Sequence, residues 1–457
     1  MTIQSLNPSR NFEVIGEVTV SAEQEVKEMV SLAHKVQPEW AAMGLEKRIE
    51  LLKQLFALLE ENKEELARLG SLEMGMPIKE SREDVAAGLE FLHWYCDHAH
   101  ESLAPEVTFE DETEVHTVYR EPMGVVAVIL AWNFPMSNFV WQCGQNLVAG
   151  NTAVLKHSKE VILFSKKLKE IFDNSPLPKG VFNVVLGDGK LGDFLAQQDI
   201  NLLCFTGSSA VGKKLYKQAA EKFIRVRVEL GGSAPGVIFA DANVDDILDT
   251  ILINRFLNCG QMCDGLKRLI VHESKKDEVI QKLSQKIPQI KVGDALDEST
   301  QVGPLVTEKQ LLILEEQVAD AVAKGAQILV GGKRPEGIQG AYYQPTLMTN
   351  VSKDMKVWQE EVFGPVLPVV TFSTEAEAIE LANDTPYGLG AYIFTEDKEL
   401  FERMAAKIDS GMVSLNNVSY VRPCNPFGGY KDSGHGREHG KYGFEDLTQV
   451  KVVSRPK

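Results

Sequence analysis

Between residues 124 and 232 the sequence alternates short apolar segments with amphipathic ones, and this alternation leaves few folds open. Five apolar segments have the length of buried strands, and four segments between them have helical spacing. The predicted strands are Val125–Ala131, Thr152–Leu155, Phe182–Leu186, Leu202–Phe205 and Val226–Leu230. The predicted helices are Asn138–Ala149, Val161–Phe172, Leu191–Gln197 and Val211–Phe223. Strands joined through helices pair in parallel, so this region predicts a parallel sheet covered on both faces.

A second alternating series follows this region, whereas the N-terminal hundred residues are largely helical. Apolar residues at helical spacing follow Ser21-Ala22-Glu23-Gln24, which resembles a capping box. Another helix is predicted over Arg48–Leu69, ending at Gly70. The strands predicted in the second series are Leu269–His272, Gln327–Val330, Val366–Phe372, Ala391–Phe394 and Met412–Leu415. The fold class is therefore predicted to be α/β.

Residues 106–119 break this pattern, because apolar and polar side chains alternate there as in a half-solvated antiparallel hairpin. The tail Gln449–Ser454 is predicted to be one more strand that pairs with this hairpin. An arm of this kind that pairs between subunits removes exposed strand edges. We therefore expect a homodimer or homotetramer.

Length, charge and cysteine content limit the function classes. A chain of 457 residues is too long for one compact core, so two or three domains are expected. The net charge of −17 argues against a nucleic-acid partner, because phosphate binding needs a basic surface. No apolar run reaches the roughly 20 residues of a membrane span, and the N-terminus does not resemble a secretion signal. The six sparse cysteines predict free thiols, a reducing cytoplasmic compartment and no metal site.

Two segments contain the side chains that covalent catalysis on a carbonyl requires, a thiol and a candidate base. Cys263 follows the Gly260-Gln261 turn, and Glu229 lies among apolar residues before a pair of glycines. Desolvation raises the pKa of such a carboxylate toward the operating pH. The alternatives are a structural carboxylate in a salt bridge and a buried thiol without function. The second alternative is assigned to Cys96, Cys143, Cys204 and Cys259.

Three loops that follow predicted strands have the composition of ligand sites. Asn133 follows the first strand, where an amide either forms a turn or donates to an oxyanion. The Gly207-Ser208 turn precedes a helix whose free amides suit phosphate, with Gly212 in the first helical turn. A G-x-G-x-x-G match spans residues 187–192, but no acidic residue ends the following strand, and we interpret it as an ordinary β–α turn.

Together these segments resemble the signatures of the NAD(P)-dependent aldehyde dehydrogenase superfamily, over nearly the whole chain. The matching segments are W-N-F-P at 132–135, F-T-G-S at 205–208, E-L-G-G at 229–232, the cysteine segment at 256–263, E-E-V-F-G-P-V at 360–366, N-D-T-P-Y-G-L-G at 383–390 and P-F-G-G-Y-K at 426–431. The resemblance implies that Cys263 is the nucleophile, Asn133 the oxyanion donor and Glu229 the base. The cofactor contacts that it implies are Trp132, Lys156, Ser158, Lys159, Gly207, Ser208, Gly212, Leu230, Glu361 and Phe363. The substrate positions that it implies are Phe134, Asn138, Trp141 and Phe427.

Departures from the family pattern bear on specificity. Lys156-His157-Ser158-Lys159 stands where the family commonly has K-P-[AS]-E, whose glutamate accepts hydrogen bonds from the adenosine ribose. Because Lys159 replaces that acceptor with a positive charge, we expect NADP or NAD as cofactor, with NADP favoured. The chain resembles the compact bacterial succinate-semialdehyde dehydrogenases in three features. These are the segment 156–159, Ser233 after E-L-G-G and the short N-terminus. Arg422 is either the receiver of a substrate carboxylate or an exposed surface arginine.

The resemblance implies NAD(P)-dependent oxidation of a small aldehyde, succinate semialdehyde being one candidate, to a carboxylic acid. The expected parts are a Rossmann-type cofactor domain (1–103 and 123–231), a catalytic domain (232–432) and an oligomerisation element (104–122 and 433–457). Two alternatives stay open. An enzyme that passes the acyl group to CoA or phosphate can dispense with Glu229. A catalytically silent binding protein on the same fold has no need to keep Asn133, Glu229 and Cys263 together.

Overall fold

The computed structural model describes residues 1–457. Its twenty strands are β1 Thr2–Asn7, β2 Glu13–Thr19, β3 Glu106–Glu110, β4 Glu114–Pro122, β5 Val125–Ile129, β6 Thr152–Lys156, β7 Phe182–Val185, β8 Leu202–Thr206, β9 Arg225–Glu229, β10 Ala234–Ile238, β11 Leu266–His272, β12 Gln327–Val330, β13 Thr346–Thr349, β14 Val366–Phe372, β15 Tyr387–Gly388, β16 Gly390–Phe394, β17 Met412–Leu415, β18 Tyr430–Lys431, β19 Gly434–His435 and β20 Thr448–Pro456. Its sixteen α-helices are α1 Glu23–Ala42, α2 Leu45–Glu61, α3 Lys63–Met74, α4 Ile78–Leu103, α5 Pro135–Phe139, α6 Gln145–Ala149, α7 Ile162–Asp173, α8 Gly189–Ala196, α9 Ser209–Glu221, α10 Val244–Phe256, α11 Lys276–Lys286, α12 Glu308–Ala323, α13 Lys356–Gln359, α14 Glu375–Asn383, α15 Lys398–Ala405 and α16 Gly440–Asp446. None of these helices combines the length and the apolar character that a membrane crossing requires.

The first sheet has the strand order β19-β9-β8-β5-β6-β7 and confirms the parallel sheet predicted for residues 124–232. Its five long strands are parallel, and only the short edge strand β19 runs antiparallel. β5 is shorter than predicted and ends at Ile129, which releases residues 130–134 into a loop at the carboxyl edge of the sheet. The helix predicted from Asn138 begins earlier, at Pro135, because Asp84 accepts hydrogen bonds from the first amides of α5.

The second sheet has the order β12-β13-β14-β11-β10-β16-β17 and contains all five strands predicted for it. Its pairs are parallel except for β12 with β13, and β10 and β13 were not predicted. Residues 230–233 connect β9 of the first sheet directly to β10 of the second. This short connection brings the carboxyl edge of the first sheet against the second sheet, which is where α/β proteins bind ligands.

The prediction of one helix over Arg48–Leu69 is wrong. The chain breaks at Asn62 between α2 and α3, and Gly70 lies inside α3. A Cβ at residue 70 would lie 2.7 Å from the Ser81 hydroxyl of α4, so this glycine permits close helix packing and does not end a helix. The capping box at Ser21 is also wrong, because its hydroxyl accepts from the amide of Leu186 and α1 begins after Ala22.

The hairpin at residues 106–119 and its pairing with the C-terminal tail are confirmed. β3, β4 and β20 form a three-stranded antiparallel sheet. Its exposed side chains include Val107, Phe109, Val450 and Val452. The role of this sheet in oligomerisation and the domain boundaries stay predictions. The N-terminal hairpin of β1 and β2 was not predicted.

Candidate active site

Cys263 lies in the loop between α10 and β11, and its side chain is half-buried. The loop starts with three consecutive residues at positive φ, Asn258 (51°), Cys259 (57°) and Gly260 (71°). A Cβ at residue 260 would lie 2.5 Å from a backbone carbonyl oxygen, so only glycine fits there. The side-chain amide of Asn258 donates to the Asn133 carbonyl oxygen at 2.6 Å. The cysteine loop is therefore fixed against the loop that follows β5.

The side chain of Asn133 is buried next to the cysteine loop. Its Nδ2 donates to the carbonyl oxygen of Gln261 at 3.2 Å, and its Oδ1 accepts from Asn138 Nδ2 at 3.1 Å. The second hydrogen on Nδ2 has no acceptor in the protein and is available to a ligand. Asn138, predicted to line a substrate tunnel, is buried and orients this amide.

One cavity brings together eight of the predicted site residues and places the Asn133 amide and the Cys263 thiol on the same surface. The residues that line it are Ala131, Trp132, Asn133, Thr206, Gly207, Ser208, Leu230, Gly231, Cys263, Gln310, Ile313, Leu314, Gln317, Glu361 and Phe363. Sequence analysis missed the four that belong to α12. Their spacing places them on one face of a helix, but such a face equally suits a protein core.

The cavity includes the turn before α9, where Gly207 and Ser208 were predicted to bind phosphate. Ser208 does not cap α9 with its side chain, so the first amides of this helix are available to an anion. Gly212 lies outside the cavity, and a Cβ there would be 2.3 Å from Leu230, so this glycine lets α9 pack closely. The turn at 187–192 fits our interpretation, because Asp188 accepts from the first amides of α8 where a phosphate would bind.

The three other predicted cofactor contacts lie at the end of β6, and none of them lines the cavity. They are Lys156, Ser158 and Lys159. Lys156 is buried, and this burial lowers its pKa to about 8. The Ser158 hydroxyl accepts from the amide of Glu160. The side chain of Lys159 is 54% exposed, with its Nζ 3.6 Å from the Glu160 carboxylate. Their predicted contacts with the cofactor stay a prediction.

Glu229, the last residue of β9, is buried, and its carboxylate oxygens have neither a hydrogen-bond donor nor an ion-pair partner. The salt-bridge alternative is therefore wrong. Gly428 packs against this carboxylate, since a Cβ there would be 2.9 Å from Glu229 Oε1. Burial first, and then the charge of Glu438, raise the pKa of Glu229 well above its ordinary value, although Arg437 and Arg227 oppose this.

Burial also raises the pKa of the Cys263 thiol well above its ordinary value. The charge of Asp264 adds to this effect, Lys267 opposes it, and Glu229 is among the charges that contribute. The neutral thiol is thus the stable form in the free site, and its ionisation requires a base. The four cysteines that were predicted to be buried thiols without function are buried. They are Cys96, Cys143, Cys204 and Cys259.

Lys267 is a further residue that sequence analysis missed. Its side chain is completely buried at the start of β11, and its Nζ donates to the carbonyl oxygens of Gly232 and Cys263 at 2.8 and 2.9 Å. It also pairs with the Glu361 carboxylate at 2.5 Å. Lys267 and Arg268 are adjacent cations at the start of β11, before the apolar run 269–271, and this local sequence gives no signal of a buried ammonium.

Aromatic and apolar side chains also pack together with Cys263. Phe427, Leu389 and Met412 form a small buried cluster that Trp141, Tyr420, Val421 and Cys263 contact. The Trp141 and Phe427 rings are 5.1 Å apart, as expected for two predicted substrate positions. Phe134 is half-buried at the start of α5. Arg422 is the next residue in the sequence after Val421. Its side chain is exposed and forms no ion pair.

Comparison with known proteins decides the family, because residues 1–453 match the aldehyde dehydrogenase family. The chain belongs to this family. It is 36% identical over 454 residues to the glutarate-semialdehyde dehydrogenase of Pseudomonas aeruginosa, covering 99% of this chain and 94% of that protein. It is 35% identical over 453 residues to the NADP(+) succinate-semialdehyde dehydrogenase of Escherichia coli K12, with 99% and 94% covered. A crystal structure of an E. coli NADP-dependent enzyme matches with a TM-score of 0.96 at 34% identity, over 100% of this chain and 95% of that one.

The aldehyde dehydrogenase family membership confirms the predicted superfamily, α/β fold class and enzyme class. This aldehyde dehydrogenase is an oxidoreductase that acts on aldehydes with NAD or NADP.

The cavity of this aldehyde dehydrogenase has the chemistry of a dinucleotide site. The free amides of α9 suit a pyrophosphate. Gly231 lets the Glu361 carboxylate approach the backbone at the cavity wall, since a Cβ at residue 231 would be 2.3 Å from Glu361 Oε2. Trp132 and Phe363, whose rings are 5.7 Å apart, add aromatic walls.

Proposed function

We propose that this enzyme oxidises a small aldehyde to a carboxylic acid through a covalent intermediate on Cys263. The observation that carries the proposal is the cavity shared by the Cys263 thiol and the Asn133 amide. The Cys263 thiol passes its proton to a water molecule, and the thiolate adds to the aldehyde carbon. Asn133 Nδ2 together with a backbone amide stabilises the resulting oxyanion. Bound NAD(P)+ supplies the hydride acceptor. The thioester then left on Cys263 is the species that hydrolysis must remove.

Glu229 is the base that we propose for this hydrolysis. Its buried carboxylate has no partner in the protein, so it is free to accept a proton from a water molecule at the thioester. An enzyme that transfers the acyl group to CoA or phosphate has no need of this base. Turnover that required added CoA or phosphate would therefore contradict hydrolysis.

For the substrate we propose an aldehyde with a carboxylate at its far end, such as succinate semialdehyde. Two relatives are named for succinate and glutarate semialdehydes. Arg422 directly follows Val421, which belongs to the apolar cluster around Cys263, and its guanidinium forms no ion pair in the protein. A guanidinium in this position suits a carboxylate that lies a few carbon atoms from the reacting aldehyde.

We expect kcat/KM for succinate semialdehyde to exceed that for butanal, an uncharged aldehyde of equal length, by roughly tenfold or more. Replacing Arg422 with leucine should remove most of this preference while leaving kcat/KM for butanal nearly unchanged. Steady-state kinetics with both aldehydes on both proteins measures the effect. Equal kcat/KM values for the two aldehydes on the unmodified enzyme would show that no carboxylate is recognised.

We further propose that NADP is the preferred cofactor. Lys159 lies after β6 with an exposed ammonium, where a 2′-phosphate would be attracted. For Lys159→Glu we expect the NADP/NAD ratio of kcat/KM to fall by about tenfold or more, because the new carboxylate repels the phosphate. Lys166→Glu makes the same charge change on α7, at a lysine that is 50% exposed, and should leave the ratio near that of the unmodified enzyme. An equal ratio in both variants rejects this role for Lys159.

A further inference from the structure

The buried ammonium of Lys267 connects three parts of the site. Its Nζ has three hydrogens and three protein acceptors, namely the carbonyl oxygens of Gly232 and Cys263 and the carboxylate oxygen Oε1 of Glu361. The Phe363 ring lies 5.1 Å from the same Nζ. One side chain therefore contacts the loop of the thiol, the connection between the sheets and two residues of the cavity wall.

The donors around Glu361 are distributed unevenly between its two oxygens. Oε1 accepts from Lys267 Nζ and also from the backbone amide of Gly232 at 3.0 Å. Oε2 accepts no hydrogen bond from the protein. It packs directly against Gly231, where a Cβ would lie 2.3 Å from it, and both residues line the cavity. Two donors on one oxygen fix the rotation of the carboxylate, and the other oxygen keeps its lone pairs for a ligand hydroxyl.

We infer that Lys267 is a positioning residue for the cofactor, because it orients Glu361 so that Oε2 accepts from a cofactor hydroxyl. The inference rests on the proposed function, in which Glu361 contacts bound NAD(P)+. Lys267 also donates to the Cys263 carbonyl oxygen. It therefore keeps the distance between the Glu361 carboxylate and the loop of Cys263 constant. Lys267 acts through Glu361 and touches neither substrate nor cofactor.

Removal of the ammonium alone should weaken cofactor binding. In Lys267→Met an apolar side chain of similar length fills the strand, but Glu361 keeps only the Gly232 amide and is free to rotate. We expect the Kd for NADP+, measured by titration calorimetry, to rise roughly tenfold, since a hydrogen bond to a charged group orients the carboxylate. In steady-state kinetics, the KM for the cofactor should rise by more than kcat falls.

A double-mutant cycle separates this role from a structural one. If Lys267 acts through Glu361, the Kd of Lys267→Met/Glu361→Gln should equal that of Glu361→Gln within about twofold. This double variant contains no unpaired buried charge, so it keeps the comparison possible even where the single Lys267→Met chain does not fold. Arg268→Met is the matched control, because Arg268 is an adjacent buried cation that donates to the carbonyl oxygens of Ser233, Leu381 and Ala382 and not to Glu361. It should lower the Tm and leave the Kd near that of the unmodified enzyme.

Four results would overturn the inference. A Kd for Lys267→Met within about twofold of the unmodified enzyme removes the positioning role, as does a double variant whose loss is the product of the two single losses. A Kd that rises equally in Arg268→Met assigns the effect to general loss of structure. If Glu361→Gln also binds NADP+ normally, the cofactor role of Glu361 fails together with that of Lys267. The nucleophilic role of Cys263 is tested separately and survives each of these outcomes.

Discussion

Cys263→Ala should lower kcat by a factor of about 10⁴ or more and leave NADP+ binding nearly unchanged. The methyl group of alanine cannot form a covalent bond to the aldehyde carbon, so neither the thiohemiacetal nor the thioester forms. The remaining cavity walls, including Glu361 and the turn before α9, are not altered by this substitution. The measurements are the rate of NADPH formation at saturating aldehyde and the Kd for NADP+ by calorimetry.

Cys259→Ala is the matched control for this variant. Cys259 lies in the same loop, but it is completely buried and burial raises the pKa of its thiol beyond the physiological range. Removing its sulfur should reduce the Tm because a small cavity is created, and should preserve most of kcat. Undiminished turnover in Cys263→Ala would refute the nucleophile assignment. Equal losses in both variants would indicate damage to the loop.

The five parallel strands of the first sheet could be predicted because each one is a short apolar segment and helical segments separate them. The residues of the thiol and amide loops could be predicted from local sequence because they lie at strand ends, where parallel sheets place ligand sites. Boundaries were less predictable where tertiary contacts decide them. Gly70 has the local character of a helix end, yet its contact with Ser81 keeps it inside α3.

The cavity wall formed by α12 and the role of Lys267 could not be predicted, because both depend on contacts between distant segments. The sequence of α12 predicts an apolar face but does not indicate which element this face packs against. Lys267 is 94 residues from the carboxylate with which it pairs, and only the folded chain brings β11 and the loop after α13 together. That Lys159 lies outside the cavity could not be predicted either. The distance between the end of β6 and the loop of Cys263 depends on how the whole sheet is assembled.

The second large expected effect is a loss of thioester hydrolysis when Glu229 is replaced. Glu229→Gln keeps the shape of the side chain but removes the base, so kcat should fall by about 10²- to 10⁴-fold while formation of the thioester continues. Rapid mixing of enzyme, NADP+ and aldehyde should then show a burst of NADPH close to one equivalent per Cys263, followed by very slow turnover. Hydroxylamine, a nucleophile that needs no base at neutral pH, should restore turnover in the variant. Loss of the burst would contradict a role confined to hydrolysis.

The pH dependence distinguishes a base from a residue that only supports the structure. Because burial and the charge of Glu438 raise the pKa of Glu229, its carboxyl group is protonated at low pH, and the carboxylate forms as pH rises through that raised pKa. Where hydrolysis limits turnover, kcat of the unmodified enzyme should therefore increase with pH along a limb above the ordinary range of a glutamate. In Glu229→Gln no group titrates at this position, so this limb should vanish from the kcat profile. A profile that kept the same limb after the substitution would show that another group supplies the base, and the buried carboxylate would then have no part in releasing the acid.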